Sequence, residues 1–243
     1  MTVGVHRTFR SRDGLTAAAS WMVYTPPGSL ACDALHCDAG LFAVADGVDH
    51  SAGSGEIALT EILRLAGPRR SARRLHGALQ AANWTLWHNS SGVGDSGVGL
   101  HGATVTVAMW LGHRVVLFHV GDSRAYLVRA GQPKQLTTDQ TRPGPLANDE
   151  AAARVGLAPD PVHPEFVDVS VEPGDRLVLC TDGLWECLDP VAMAAVGTRS
   201  AAEACKSLES RAMDKATEDA TAVVVAFSTS HGRGPQRPGS RLG

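Results

Sequence analysis

The chain has 243 residues and a mass of 25.4 kDa, with 44% hydrophobic residues and a net charge of −3 from 22 basic and 25 acidic side chains. A single domain of that size buries roughly 70–75% of its unfolded surface without disulfide or metal staples, and its charge balance excludes a generally basic nucleic-acid binder. No stretch approaches the roughly 18 apolar residues of a membrane span, and residues 1–12 carry charge with no apolar run behind them, so no membrane partner, no signal peptide and a cytoplasmic location are expected.

The first predicted strand is the apolar run 41–45, which ends in Asp46-Gly47. Two helices follow. One covers 54–66, with Leu59, Ile62, Leu63 and Ala66 on one face; the other covers 71–88, with Leu75, Leu79, Ala82 and Leu86 at helical spacing. Residues 90–102, rich in Gly and Ser, read as a mobile loop. Runs at 104–110, 115–120 and 125–129 are separated by short turns and predict an antiparallel meander. In the first of them Thr104, Thr106 and Ala108 alternate with Val105, Val107 and Met109, so the two faces of its sheet should differ.

One or two helical turns are expected over 148–155, and further strands over 166–171, 177–181 and 222–227. A third helix begins at Ser200, where Glu203 completes a capping box, and it carries Cys205, Leu208 and Ala212 on one stripe. Residues 230–243 hold three arginines, no acid and no apolar periodicity, and are expected to be a disordered basic tail behind a single domain over 1–229. Helices grouped between antiparallel strands, without regular βαβ alternation, indicate α+β layering. The five cysteines (Cys32, Cys37, Cys180, Cys187 and Cys205) are odd in number and show no zinc-ligand spacing, which suits reduced thiols.

Four aspartates share a context. Asp46 ends FAVAD, Asp122 ends FHVGD, Asp182 ends VLCTD, and Asp219 precedes the last strand. Asp-Gly is a common turn dipeptide, so any one of them could mark a plain turn. Together they place four carboxylates at strand tips. Two such anions about 4 Å apart repel by roughly 4 kcal/mol at an effective dielectric near 20, so a cluster persists only with cations between them. Oxygen ligation without His or Cys selects a hard ion, Mg²⁺ or Mn²⁺. Two such ions lower the pKa of a bridging water and clamp the oxygens of an in-line displacement at phosphorus. The glycine after Asp46 lets a backbone carbonyl approach a metal. No phosphate-binding Gly-Lys-Ser/Thr loop is present, so nucleotide-driven work is not expected.

FAVADGV (42–48), GATVTVAMW (102–110), VVLFHVGDSRAYLVRAGQPKQLTTDQT (115–141), EPGDRLVLCTDGLWECLD (172–189) and EDATAVVVAF (218–227) occur in the order found in one family. The sequence resembles a bacterial member of the metal-dependent protein phosphatases, the type 2C serine/threonine family. The resemblance implies a four-layer α-β-β-α sandwich of two antiparallel sheets flanked by helices. It implies that Asp46 bridges two metal ions, that Gly47 offers its carbonyl to one, and that Asp182 and Asp219 complete the other. Asp122 would help hold a third, weaker ion. A metal-activated water would then attack phosphoserine or phosphothreonine in a phosphoprotein, the product of a Ser/Thr kinase.

The resemblance weakens near the N-terminus. The family has an Arg five residues before the second member of an acidic pair. In this chain the matching region is 15–24, where the pair would fall near Ser20, Trp21 or Met22 and the Arg near Thr16 or Ala17; neither is there. Arg12 is the candidate substitute for the phosphate contact. His50, where the family has glycine, is a candidate donor to the leaving alkoxide, or a surface histidine. Ala220 replaces an Asn, and the flap near 138–164 is shortened. These departures leave a second reading, a pseudophosphatase that binds a phosphoprotein or partner with little turnover.

Overall fold

In the computed structural model of the chain, the described residues are 2–3, 7–11, 14–27, 29, 31–38, 40–47, 53–67, 70–91, 102–143, 150–215 and 219–229. The strands are β1 (Thr2–Val3), β2 (Arg7–Arg10), β3 (Leu15–Tyr24), β4 (Ala34–Asp38), β5 (Leu41–Gly47), β6 (Ala103–Trp110), β7 (Arg114–Val120), β8 (Arg124–Arg129), β9 (Gln132–Gln135), β10 (Thr141–Pro143), β11 (Glu150–Ala152), β12 (Glu165–Ser170), β13 (Arg176–Cys180) and β14 (Ala220–Thr229). The helices are α1 (Ser54–Ala66), α2 (Ala72–Ser91), α3 (Asp182–Trp185), α4 (Pro190–Val196) and α5 (Ala201–Lys215).

Two antiparallel sheets form the centre. One runs β1-β3-β14-β13-β8-β9, with β2 also on β3; the other runs β12-β7-β6-β5-β4; β10 and β11 make a separate hairpin. Alternation along each strand sorts its side chains into layers. On β6, Val105, Val107 and Met109 join Ile62, Leu75, Leu79 and Leu86 of α1 and α2, while Ala108 and Trp110 face the other sheet. On β14, Val223, Val225 and Phe227 fill the space between the sheets, and Ala222 and Val224 pack under α5. The order helix, sheet, sheet, helix follows directly: an α-β-β-α sandwich, as the sequence led us to expect.

The α5 stripe extends Cys205, Leu208 and Ala212 to Ala201 and Ala204. Its capping box is formed: the Glu203 N–H donates to Ser200 Oγ at 3.3 Å, and the Ser200 N–H donates to Glu203 Oε2 at 3.0 Å. All five cysteines are free thiols. No helix among the described residues is long and apolar enough to cross a membrane.

Three expectations need correction, and one strand was not foreseen. The strands at 115–120 and 125–129 are not meander neighbours: β7 pairs with β6 and β12, whereas β8 pairs with β13 and β9 in the opposite sheet. Gly121, at φ +113°, turns the chain from one sheet into the other. The helical turns expected over 148–155 are absent from its described part. Glu150–Ala152 instead ladders against Thr141–Pro143, and Ala153 N–H continues that ladder to the Gln140 carbonyl at 2.8 Å. Helix α2 runs to Ser91, past the start of the expected loop. Finally, the region matched to the N-terminal motif is a strand, β3, paired along its ten residues with β14. Residues 92–101 of the expected loop and the tail 230–243 lie outside the described residues.

Candidate metal centre

Each acidic residue of the site is fixed by an apolar strand that cannot shift register without turning its core face outward. Asp46 sits near the end of β5, where its N–H donates to Thr104 Oγ1 at 3.3 Å, and Thr104 Oγ1 in turn lies 2.7 Å from Ser123 Oγ. Asp122 occupies the crossing turn between β7 and β8. Trp185 Nε1 donates to its carbonyl at 3.0 Å, and the Arg124 guanidinium covers the Trp185 ring at 3.4 Å. Asp182 opens α3 directly after β13, and its Oδ1 accepts the Gly183 N–H at 2.7 Å. Carboxylate oxygens of Asp46, Asp122 and Asp182 all lie within 4.8 Å of one another.

Asp219 enters from the start of β14. Its Oδ2 accepts the Cys32 N–H at 2.6 Å, and its Oδ1 is buried without a hydrogen-bond partner. Gly47 is packed tightly: a Cβ there would stand 2.8 Å from the Cys32 carbonyl and 3.2 Å from the Gly55 nitrogen. The missing side chain therefore also lets the chain before β4 close over the site. Arg12 and His50 lie outside the described residues.

Sequence reasoning missed Asp33. Thr181 Oγ1 donates to Asp33 Oδ2 at 2.8 Å, while Asp33 Oδ1 is buried and unpartnered. The motif comparison placed the acidic pair near Ser20–Met22, but Ser20 and Met22 are fully buried core positions of β3. The acid comes one strand later. The β4–β5 register sets Ala34 opposite Ala45 and Asp38 opposite Leu41, so the next step outward puts Asp33 opposite Asp46. Pairing the run 41–45 with the chain just before it would have found this carboxylate.

The electrostatics describe a crowded anionic site. Burial, and then the charges of Asp33 and Asp182, push the Asp46 carboxyl well above the ordinary range. Burial likewise raises Asp33; the Thr181 and Thr221 hydrogen bonds lower it, and the charges of Asp219 and Asp182 raise it further. Asp122 is pushed up to about 6 by burial and the Asp182 charge. Oxygens of Asp33, Asp122 and Asp219 are shut off from solvent with no partner. A buried unpaired acceptor costs about 1–3 kcal/mol, more when charged. The converging donors are carboxylate oxygens, a set that suits a hard divalent cation rather than zinc or copper.

This sandwich, with carboxylates gathered from strand ends of both sheets, is the architecture of the metal-dependent serine/threonine phosphatases. The sequence profile of Stage II sporulation protein E (SpoIIE) matches residues 38–237, and the chain belongs to that family of bacterial type 2C phosphatase domains. It is 28% identical over 227 residues to the serine/threonine protein phosphatase PstP of Mycobacterium tuberculosis, covering 85% of this chain and 44% of that one. The chain thus spans about half the length of that relative. Its fold is shared with the catalytic domain of PstP solved with two manganese ions (TM-score 0.72, 23% identity, 87% of this chain and 99% of that one). The phosphatase MsPP of Mycobacterium smegmatis, solved with cacodylate, is similarly close (TM-score 0.72, 24% identity, 85% and 97%).

Proposed function

We propose that this chain hydrolyses phosphoserine and phosphothreonine in proteins, using a pair of Mg²⁺ or Mn²⁺ ions held by its strand-end carboxylates. The observation that carries the reading is the approach of Asp46, Asp122 and Asp182 to within 4.8 Å, with Asp33 and Asp219 closing the group. Asp46 and the Gly47 carbonyl would hold the pair of ions together with Asp182 and Asp219, and Asp122 would help hold a third, weaker one. When bound, such ions supply a solvent molecule acidic enough to attack phosphorus at neutral pH and neutralise phosphoryl oxygens.

The chain's own residues do the rest. Thr181 fixes one oxygen of Asp33, leaving the other to accept a proton from solvent at the centre. Thr104 and Trp185 hold the backbones of Asp46 and Asp122 in place. The ester P–O bond breaks as the water oxygen bonds to phosphorus, and the serine or threonine oxygen departs with a proton, leaving inorganic phosphate. The substrates are products of a Ser/Thr kinase.

The pseudophosphatase reading drew on the absence of both the arginine and the acidic pair from Thr16–Met22. Asp33 supplies a carboxylate from the following segment, which answers the acidic part of that motive and leaves the arginine. The test is hydrolysis of p-nitrophenyl phosphate and of a phosphothreonine peptide with and without Mn²⁺. Turnover should require the metal and fall by about a hundredfold or more in Asp46→Ala and Asp182→Ala. Metal-independent turnover, or a manganese-loaded protein that returns the phosphopeptide intact, would overturn the proposal.

A further inference from the structure

The acidic cluster poses a charge problem for an anionic substrate. With the weaker third position empty, the two divalent ions of the pair carry four positive charges against the five carboxylates of Asp33, Asp46, Asp122, Asp182 and Asp219. A phosphomonoester dianion entering that centre needs another cation at its rim. Several arginines are committed elsewhere: Arg124 to Asp139, Arg129 to Asp175, Arg70 to Asp38 and Arg114 to Asp168. Arg154 is not. Its Nε is shut off from solvent with no hydrogen-bond partner, and its guanidinium forms no ion pair among the described residues. A buried N–H left unpaired costs about 1–3 kcal/mol, so its placement suits an acceptor brought in by a ligand.

The backbone around Arg154 is pinned on both sides. Ala153 N–H donates to the Gln140 carbonyl at 2.8 Å, and Val155 exchanges two hydrogen bonds with Ala103 at 2.9 and 3.0 Å. Farther along, Asn83 of α2 accepts from the Gly156 N–H at 2.7 Å and donates to the carbonyls of Ala158 and Asp160, each at 3.0 Å. Gln140 also grips the residue beside Asp122: its N–H donates to the Gly121 carbonyl at 2.7 Å, and its Oε1 accepts the Gly121 N–H at 3.3 Å. The strap that carries Arg154 and the turn that carries Asp122 are therefore tied together through Gln140. Arg154 borders a cavity of about 260 Å³ together with Val120, Gln140, Leu157 and His163. Its positive charge reaches the site, where it lowers the Asp122 carboxyl against the effects of burial and Asp182.

We propose that Arg154 binds the substrate phosphoryl group, donating hydrogen bonds to its non-bridging oxygens. The proposal rests on the reading of the site as a phosphomonoester hydrolase. It assigns to the strap after β11 the contact that the sequence suggested for Arg12.

Inorganic phosphate is the probe. Calorimetry on the full chain loaded with Mn²⁺ should show phosphate binding that weakens about 10–100-fold in Arg154→Gln and less in Arg154→Lys. The thermal stabilisation produced by Mn²⁺ should be unchanged in both variants. Arg154→Gln keeps most of the aliphatic stem, and Arg154→Lys retains the charge should the first variant fold poorly. Equal phosphate affinity in parent and variants, no phosphate binding by the parent, or a parallel loss of the Mn²⁺ effect would overturn the proposal. Arg154-dependent phosphate binding without turnover would sustain it while sinking the hydrolase reading. Turnover by the parent with phosphate affinity indifferent to Arg154 would do the reverse.

Discussion

Asp33 and Asp46 meet because each lies one residue beyond Ala34 and Ala45, the last pair in the antiparallel register of β4 and β5. Like charges at such a site repel, and burial raises both carboxyls. Asp33→Asn keeps an acceptor for the Thr181 hydroxyl but removes one charge. The metal-free protein should therefore melt higher, by about 2–4 °C for each kcal/mol of repulsion relieved. The Mn²⁺-induced rise in Tm should shrink, and hydrolysis should fall about 10–100-fold. Differential scanning calorimetry with EDTA and with Mn²⁺ checks both halves; a lower metal-free Tm with an undiminished Mn²⁺ effect would show that Asp33 is only a structural acceptor. Asp46, Asp122 and Asp182 were legible in the sequence because each ends an apolar run. Asp33 was not, because it precedes its strand and becomes visible only through a pairing partner. Arg154 had no sequence signal: an arginine in an irregular segment is ordinary until Gln140 ties its backbone to the turn that carries Asp122.

At the scale of elements, β6 and β7 were readable as strands from their alternation, yet one rung of their pairing is polar. Thr106 stands opposite His119, with Thr106 Oγ1 2.9 Å from His119 Nδ1, and His119 Nε2 is buried without a partner. Burial pulls the His119 pKa below its ordinary value of 6.5, partly offset by the Glu165 charge. The folded state thus holds a neutral imidazole that the unfolded chain would protonate. The unfolded state then binds more protons below about pH 6.5, so this residue's contribution to stability is present above that pH and lost as pH falls through it. In urea titrations between pH 7.5 and 5.5, His119→Gln should lose less stability on acidification than the parent. The aspartates are common to both proteins, so the difference isolates the histidine; identical pH slopes would contradict the assignment. What the local pattern could not supply was sheet membership. Val115–Val120 and Ala125–Arg129 look like adjacent strands, but the turn at Gly121 sends them to different sheets. The Gln140 hydrogen bonds that hold this turn come from nineteen positions away, beyond any local window.

For the whole molecule, helix faces and strand alternation were enough to give the layer order, because each element has a side that must be covered. Apolar cores form between α1–α2 and one sheet, between the two sheets, and between the other sheet and α4–α5. Position along the layers was harder to read. The strand β3 was missed because its Ala-rich run, Ala17 to Ser20, lacks the β-branched and aromatic residues that mark a strand, although β3 pairs with β14 along its whole length. That omission displaced the acidic motif by one element. Packed together, the two sheets bring Asp46 and Asp122 from one and Asp182 and Asp219 from the other to a common end, so metal affinity should depend on the integrity of the sandwich. Diffraction from crystals of the full chain soaked in Mn²⁺, with anomalous differences recorded at the manganese edge, addresses this most directly. Two peaks about 3.5–4 Å apart, within ligand distance of Asp46, Asp182 and Asp219, are the expected result. An ordered acidic cluster with no manganese peak at saturating metal would contradict the account.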